Sequence, residues 1–107
     1  MELEEGIGNL HQYAKKMFGI GLRDMWITKH STRGDSYYLT LYIIVDIPTD
    51  VLKKYERQVR IYYEKKARIM GVDIHTHIVP YRNPIATKTK PKANAQCLYK
   101  RPDYFKV

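Results

Sequence analysis

Val72-Asp73-Ile74-His75-Thr76-His77-Ile78-Val79, between Gly71 and Pro80, is the stretch on which the reading of this chain turns. Bounded by a glycine and a proline and rich in β-branched residues, it predicts a strand. Successive strand side chains point to opposite faces, so His75 and His77 share one face and Ile74 and Ile78 the other. Two imidazoles at that spacing reach a single divalent ion, and imidazole is the commonest metal-binding side chain.

Immediately upstream, Pro48-Thr49-Asp50 signals a helix start, with Thr49 or Asp50 as N-cap, and the helix is predicted to run to Met70. Val51, Tyr55, Val59, Tyr62, Ile69 and Met70 supply its expected apolar stripe. Lys65, Lys66 and Arg68 complement its C-terminal dipole, and Gly71 falls where a left-handed cap is wanted. Further upstream, Tyr37 to Asp46 reads as a strand with Tyr37, Leu39, Leu41, Ile43 and Val45 toward a core. The turn Ser31-Thr32-Arg33-Gly34-Asp35 joins it to an earlier strand in which Met25 and Ile27 alternate with Trp26, Thr28 and His30. Leu3, Ile7, Leu10, Ala14 and Met17 recur at helical spacing, and Gly19 and Gly21 end that first helix.

The resulting order is α-β-β-α-β, an α+β fold. The long helix between the second and third strands is a crossover that makes those strands parallel. A ferredoxin-like or metallochaperone-like sandwich is expected, with helices on one face of a three-stranded sheet and the other face open. Residues 1–80 form this domain and 81–107 a basic extended tail carrying Arg82, Lys88, Lys90, Lys92, Lys100, Arg101 and Lys106 against Asp103, with Pro84, Pro91 and Pro102.

At 107 residues the chain is long enough for one core and too short for two. Nineteen Lys and Arg against 11 Asp and Glu leave a net charge of +8, which favours polyanionic partners. The lone Cys97 forms no internal disulfide, so a reducing compartment is expected. No apolar run approaches the roughly 18 residues of a membrane-spanning helix, and the acidic start Met1-Glu2-Leu3-Glu4-Glu5 lacks the cations of a signal peptide. A soluble, cytoplasmic protein with no membrane span is the expectation.

The outward residues are Trp26, Thr28 and His30, then Tyr38, Thr40 and Tyr42, then Asp73, His75 and His77. With the first strand central, His30 lies beside His75 and His77. Three imidazoles with Asp73 nearby offer a divalent ion such as Zn, Ni or Mn three protein ligands and an open position. His11 reads as a solvated or capping side chain. There is no glycine-rich phosphate loop, no Ser/His/Asp arrangement and no paired-carboxylate constellation, so no motif commits the chain to catalysis.

A helix, then Leu22-Arg23-Asp24-Met25-Trp26-Ile27, a Gly-Asp turn, Ile43-Ile44-Val45-Asp46, a helix, and Val72-Asp73-Ile74-His75 ending near Pro80 resemble the cytoplasmic C-terminal domain of cation diffusion facilitator transporters over residues 3–80. That resemblance implies a metallochaperone-like fold that dimerises and binds divalent metal partly through a His and an acidic residue two positions later on the last strand, places that His75 and His77 would take. Tyr42 stands where the family has a second-strand His, and the long helix has no His.

The His-Thr-His triplet is also similar to the His-hydrophobic-His strand of HUH-type single-strand endonucleases. There a metal polarises a phosphodiester that a tyrosine attacks. Under that resemblance Tyr99 and Tyr104 in the tail, or Tyr63 on the helix, are nucleophile candidates.

A metal-free reading has Trp26, Tyr38 and Tyr42 stacking bases while Lys88, Lys90, Lys92, Lys100 and Arg101 hold phosphates. The same rings otherwise cover the sheet or form a homodimer interface through the open face or a strand edge. The leading expectation is a small divalent-metal-binding, dimerising interaction module. Nucleic-acid binding or HUH-type nuclease activity is the alternative.

Overall fold

Apolar side chains on alternate positions build two long strands, β1 (Leu22–Ser31) and β2 (Tyr37–Val45), which pair antiparallel with Ile27 opposite Leu41 and Thr28 opposite Thr40. This is a computed structural model that describes residues 9–80 and 95–101. The turn closes with the Thr32 N–H donating to the Ser36 carbonyl at 2.9 Å. Leu22, Met25, Ile27, Leu39, Leu41, Ile43 and Val45 form the sheet's contribution to the core.

Helix α1 (His11–Phe18) lays Leu10, Ala14 and Phe18 on that layer. It stops at Gly19, whose positive φ of 56° opens a short 3-10 turn over Gly19–Gly21 leading into β1. Gly19 therefore ends the helix as expected, and Gly21 closes the 3-10 turn that follows. Leu3 and Ile7 lie outside the described residues.

Helix α2 (Thr49–Met70) differs from expectation at its start and in its phase. Its N-cap is Pro48, not Thr49 or Asp50. Extended at ψ 142°, Pro48 presents its carbonyl to the Leu52 N–H at 2.9 Å, so the helix is already under way at Thr49. Asp50 still places a carboxylate near the positive end of the dipole. The buried positions are Leu52, Val59, Tyr63 and Ala67, whereas Tyr55 and Ile69 of the expected stripe are 36% and 70% exposed. The helix is turned so that Tyr63 enters the core, where its hydroxyl finds a carbonyl. Tyr62 moves to the flank, stacked on Tyr13 with centroids 3.7 Å apart. At the other end Gly71 adopts the left-handed conformation, φ 70° and ψ 29°, as a C-cap, and the Val72 N–H donates to the Ala67 carbonyl.

Strand β3 (Asp73–Pro80) runs parallel to β2, as a helical crossover requires. Strand β4 (Gln96–Lys100) pairs antiparallel with the other side of β1. Among the described residues the sheet therefore has four strands in the order β3-β2-β1-β4 rather than the three expected, and residues 96–100 belong to it rather than to an extended tail. An uncovered β1 edge would leave a row of unpaired backbone groups, and β4 satisfies them. A register shift between Met25 and Trp26 accompanies packing of both Leu98 and Tyr99 against the core. Beyond the strand, the Arg101 N–H donates to the Arg23 carbonyl and its Nη1 to the Ile20 carbonyl, each at 2.8 Å. The remaining tail positions, 81–94 and 102–107, lie outside the described residues. No helix among the described residues is long and apolar enough to cross a membrane.

Candidate functional site

The sheet face turned away from the core carries rings in register. His30 is opposite Tyr38, Trp26 is opposite Tyr42, and Tyr42 is opposite His77. His30 stacks on Tyr38 with centroids 4.7 Å apart, Tyr38 meets His75 edge-on at 5.0 Å, and Tyr42 stacks on His77 at 5.5 Å. Between the ring rows lies a floor of small residues, Thr28 opposite Thr40, with Thr40 opposite His75.

This face is less open than expected. Thr28 is 1% exposed and Thr40 5%, and the Thr28 Oγ1 has no hydrogen-bond partner among the described residues. Rings at the i±2 positions of both strands rise around the two threonines, while His75 and His77 at the edge are exposed.

Strand order decides what the histidines can do together. His75 and His77 share the ring-lined face, as the alternation requires. His30 does not join them, because β2 lies between β1 and β3 and sets Tyr38 between the two imidazoles. Two strand spacings, about 10 Å, separate the backbones that carry them. Asp73 is exposed and opposite Tyr38. Among the described residues, no three His, Cys, Asp or Glu side chains are grouped to hold a metal ion.

The tyrosines named for phosphodiester attack are not brought to the histidine pair. Tyr63 is fully buried on the core side, and its hydroxyl donates to the Leu10 carbonyl at 2.6 Å. Burial, with the neighbouring Tyr62 and Tyr13, holds its phenol well above the ordinary range, opposite to what a nucleophile needs. Tyr99 is on β4 at the far edge, stacked on His11 at 5.9 Å with the Lys15 ammonium 5.7 Å from its ring centroid. Tyr104 lies outside the described residues.

Of the cations named for phosphate contact, Lys100 is exposed on β4 opposite Asp24, and Arg101 is committed to anchoring the strand end. Lys88, Lys90 and Lys92 lie outside the described residues. Cys97 is exposed opposite Trp26.

The sequence reading missed Arg60. From α2 it reaches the edge of β3, where Nη1 donates to the Thr76 carbonyl at 2.9 Å and Nη2 to Glu56 Oε1 at 3.0 Å. It lines an open groove of about 370 Å³ with Tyr38, Thr40, His75, Thr76 and His77. A larger groove of about 730 Å³ also reaches His75 and includes Asp35, Glu64, Arg68 and Asp73. Helix α2 as a whole carries seven Lys and Arg against Asp50, Glu56 and Glu64. That concentration is visible in the sequence, but the acidic residues elsewhere in 1–80 mask it when charge is summed over the domain.

Comparison with protein-family models, with curated proteins and with solved structures finds no match.

Proposed function

We propose that this chain binds single-stranded nucleic acid across the ring-lined face of its sheet. The observation that carries the reading is the register of Trp26, Tyr38, Tyr42, His75 and His77 on one face, with small Thr28 and Thr40 between the ring rows. Every base has a flat π-face, and stacking on an aromatic side chain contributes about 1–3 kcal/mol per base without requiring a particular sequence. A net charge of +8 favours a polyanionic ligand for the chain as a whole. Paired bases are already stacked within a duplex, so unpaired strands are the favoured ligand.

Fluorescence anisotropy with labelled oligothymidylate, oligouridylate and a duplex of matching length tests this, and the first two also separate DNA from RNA. Single strands should bind more tightly than duplex, and Tyr38→Ala and Tyr42→Ala should each weaken binding by about 1–3 kcal/mol. Equal affinity for duplex and single strands, undiminished in both variants, would reduce the interaction to charge alone and overturn the reading.

A second reading is favoured by one observation, the exposure of both His75 and His77 on the same face. It makes them two donors to a divalent ion, Zn, Ni or Mn, in a dimerising metallochaperone-like module. A second copy would then supply the remaining donors. Calorimetric titration of those ions should give a stoichiometry of one ion per two chains, lost in His75→Ala/His77→Ala. Indistinguishable isotherms for wild type and variant eliminate it.

A further inference from the structure

We infer that Arg60 is the phosphate-holding side chain of the ring-lined face. A bound strand would then run along β3, the outer strand among the described residues, with its bases over the rings and its backbone beside the Arg60 guanidinium. The inference rests on the nucleic-acid reading and adds to it the path of the ligand and the residue that fixes it.

Three observations support it. The first is position. Arg60 shares one groove with Tyr38, His75 and His77, so a ring-stacked base and a guanidinium-bound phosphate fall within the same concave surface.

The second is preorganisation. A guanidinium has five N–H donors, and here Nη1 is held by the Thr76 carbonyl while Nε and Nη2 are held by Glu56 at 3.4 and 3.0 Å. Each Nη keeps a second N–H free of those partners, and the side chain is 46% exposed. A half-exposed guanidinium held in place with N–H groups to spare suits the charge-assisted bonds that phosphate oxygens accept.

The third is charge. Toward the start of β3, the adjoining groove carries Asp35, Glu64 and Asp73 against Arg68 alone, a net negative lining that disfavours phosphate. The anion is therefore directed to the Arg60 and His77 end.

Glu56 has a defined part in this arrangement. It aligns Arg60 while neutralising part of its charge, so it opposes the phosphate it helps to position.

The experiment measures oligothymidylate affinity against salt concentration for wild type, Arg60→Gln, Arg60→Lys and Glu56→Gln, with folding checked by circular dichroism. Each phosphate contact on a single strand contributes a slope of about −0.7 in log affinity against log salt. Arg60→Gln should lower the slope by that amount, while Arg60→Lys should retain it with weaker affinity through loss of the guanidinium fork. Glu56→Gln should tighten binding by up to about five-fold. If Arg60→Gln unfolds, the Glu56→Gln and Arg60→Lys results decide alone. Ring-dependent wild-type binding with an unaltered slope in Arg60→Gln, or no tightening in Glu56→Gln, overturns this inference and leaves the functional reading standing. Absence of ring-dependent binding by the wild type overturns the functional reading itself.

Discussion

The phenol of Tyr63 on α2 donates a 2.6 Å hydrogen bond to the main-chain carbonyl of Leu10 at the start of α1, 53 positions away in the chain. Both residues are fully buried, so the bond ties the two helices together inside the core. The Leu10 carbonyl, at the N-cap of α1, also accepts the first intrahelical bond, so Tyr63→Phe should lose the net worth of one buried hydrogen bond, about 0.5–1.5 kcal/mol in denaturant unfolding. A loss below a few tenths of a kcal/mol would mean that the carbonyl is satisfied another way.

The same burial makes stability depend on alkaline pH. Desolvation raises the Tyr63 phenol above its ordinary value of 10.0, so the folded chain holds that proton after the unfolded chain has released it. The contribution is complete below pH 10 and falls as pH rises beyond it, by at most about 1.4 kcal/mol per pH unit for one proton. Unfolding measured from pH 9 upward should therefore decline less steeply in Tyr63→Phe than in wild type. Parallel curves would remove Tyr63 from the alkaline limb.

Thr28 gives a prediction of opposite sign. Its hydroxyl is buried without a partner among the described residues, a condition that costs about 1–3 kcal/mol. Valine has nearly the same shape and no polar atom to satisfy, so Thr28→Val should gain about 1 kcal/mol. In thermal unfolding that is a rise of roughly 4–8 °C for a domain of this size. A lower melting temperature would show that the hydroxyl is satisfied in solution.

Gly71 tests the end of α2. A Cβ there meets nothing within 4 Å, so any penalty comes from the positive φ of 70° alone. Gly71→Ala should cost about 1–2 kcal/mol, and Gly71→Asn should cost less, because asparagine tolerates the left-handed region. Equal losses would point to a displaced neighbour rather than to backbone strain.

These positions show what local pattern can and cannot reveal. The alternation in 37–45, Gly71 as a left-handed cap and the parallel pairing of β2 with β3 follow from period and connection length, which a chain carries in its own order. The phase of α2 does not. Val51 beside Leu52 and Tyr62 beside Tyr63 offer two nearly equivalent stripes, and the carbonyl of Leu10 selects between them from a distant element. Strand order is equally remote from local pattern. His30 and His75 look like neighbours until Tyr38 is placed between them, and Gln96–Lys100 becomes a strand because β1 has an edge to fill. Arg60 reads as one more cation on a helix until its reach to Thr76 is known.

Trp26 offers a direct view of the ring-lined face because it is the only tryptophan in the chain. It lies half-buried on β1 opposite Tyr42 on one side and Cys97 on the other, so its emission reports this face alone. A base stacked on the indole should quench that emission in step with anisotropy as oligothymidylate is added. Inorganic polyphosphate carries the charge without the rings and should leave the emission unchanged. Trp26→Ala should weaken oligothymidylate binding by about 1–3 kcal/mol, and Trp26→Phe, which keeps a stacking surface, should weaken it less. Tyr37 provides the control, since it packs against the core on the opposite face with the Lys29 ammonium 4.3 Å from its ring centroid. Substituting Tyr37 with leucine should leave the affinity within about two-fold of wild type, given the near-neutral effect of changes away from a contact. Equal quenching by polyphosphate would attribute the signal to charge, and equal losses in the Trp26 and Tyr37 variants would attribute it to stability. Either result removes base stacking from this face.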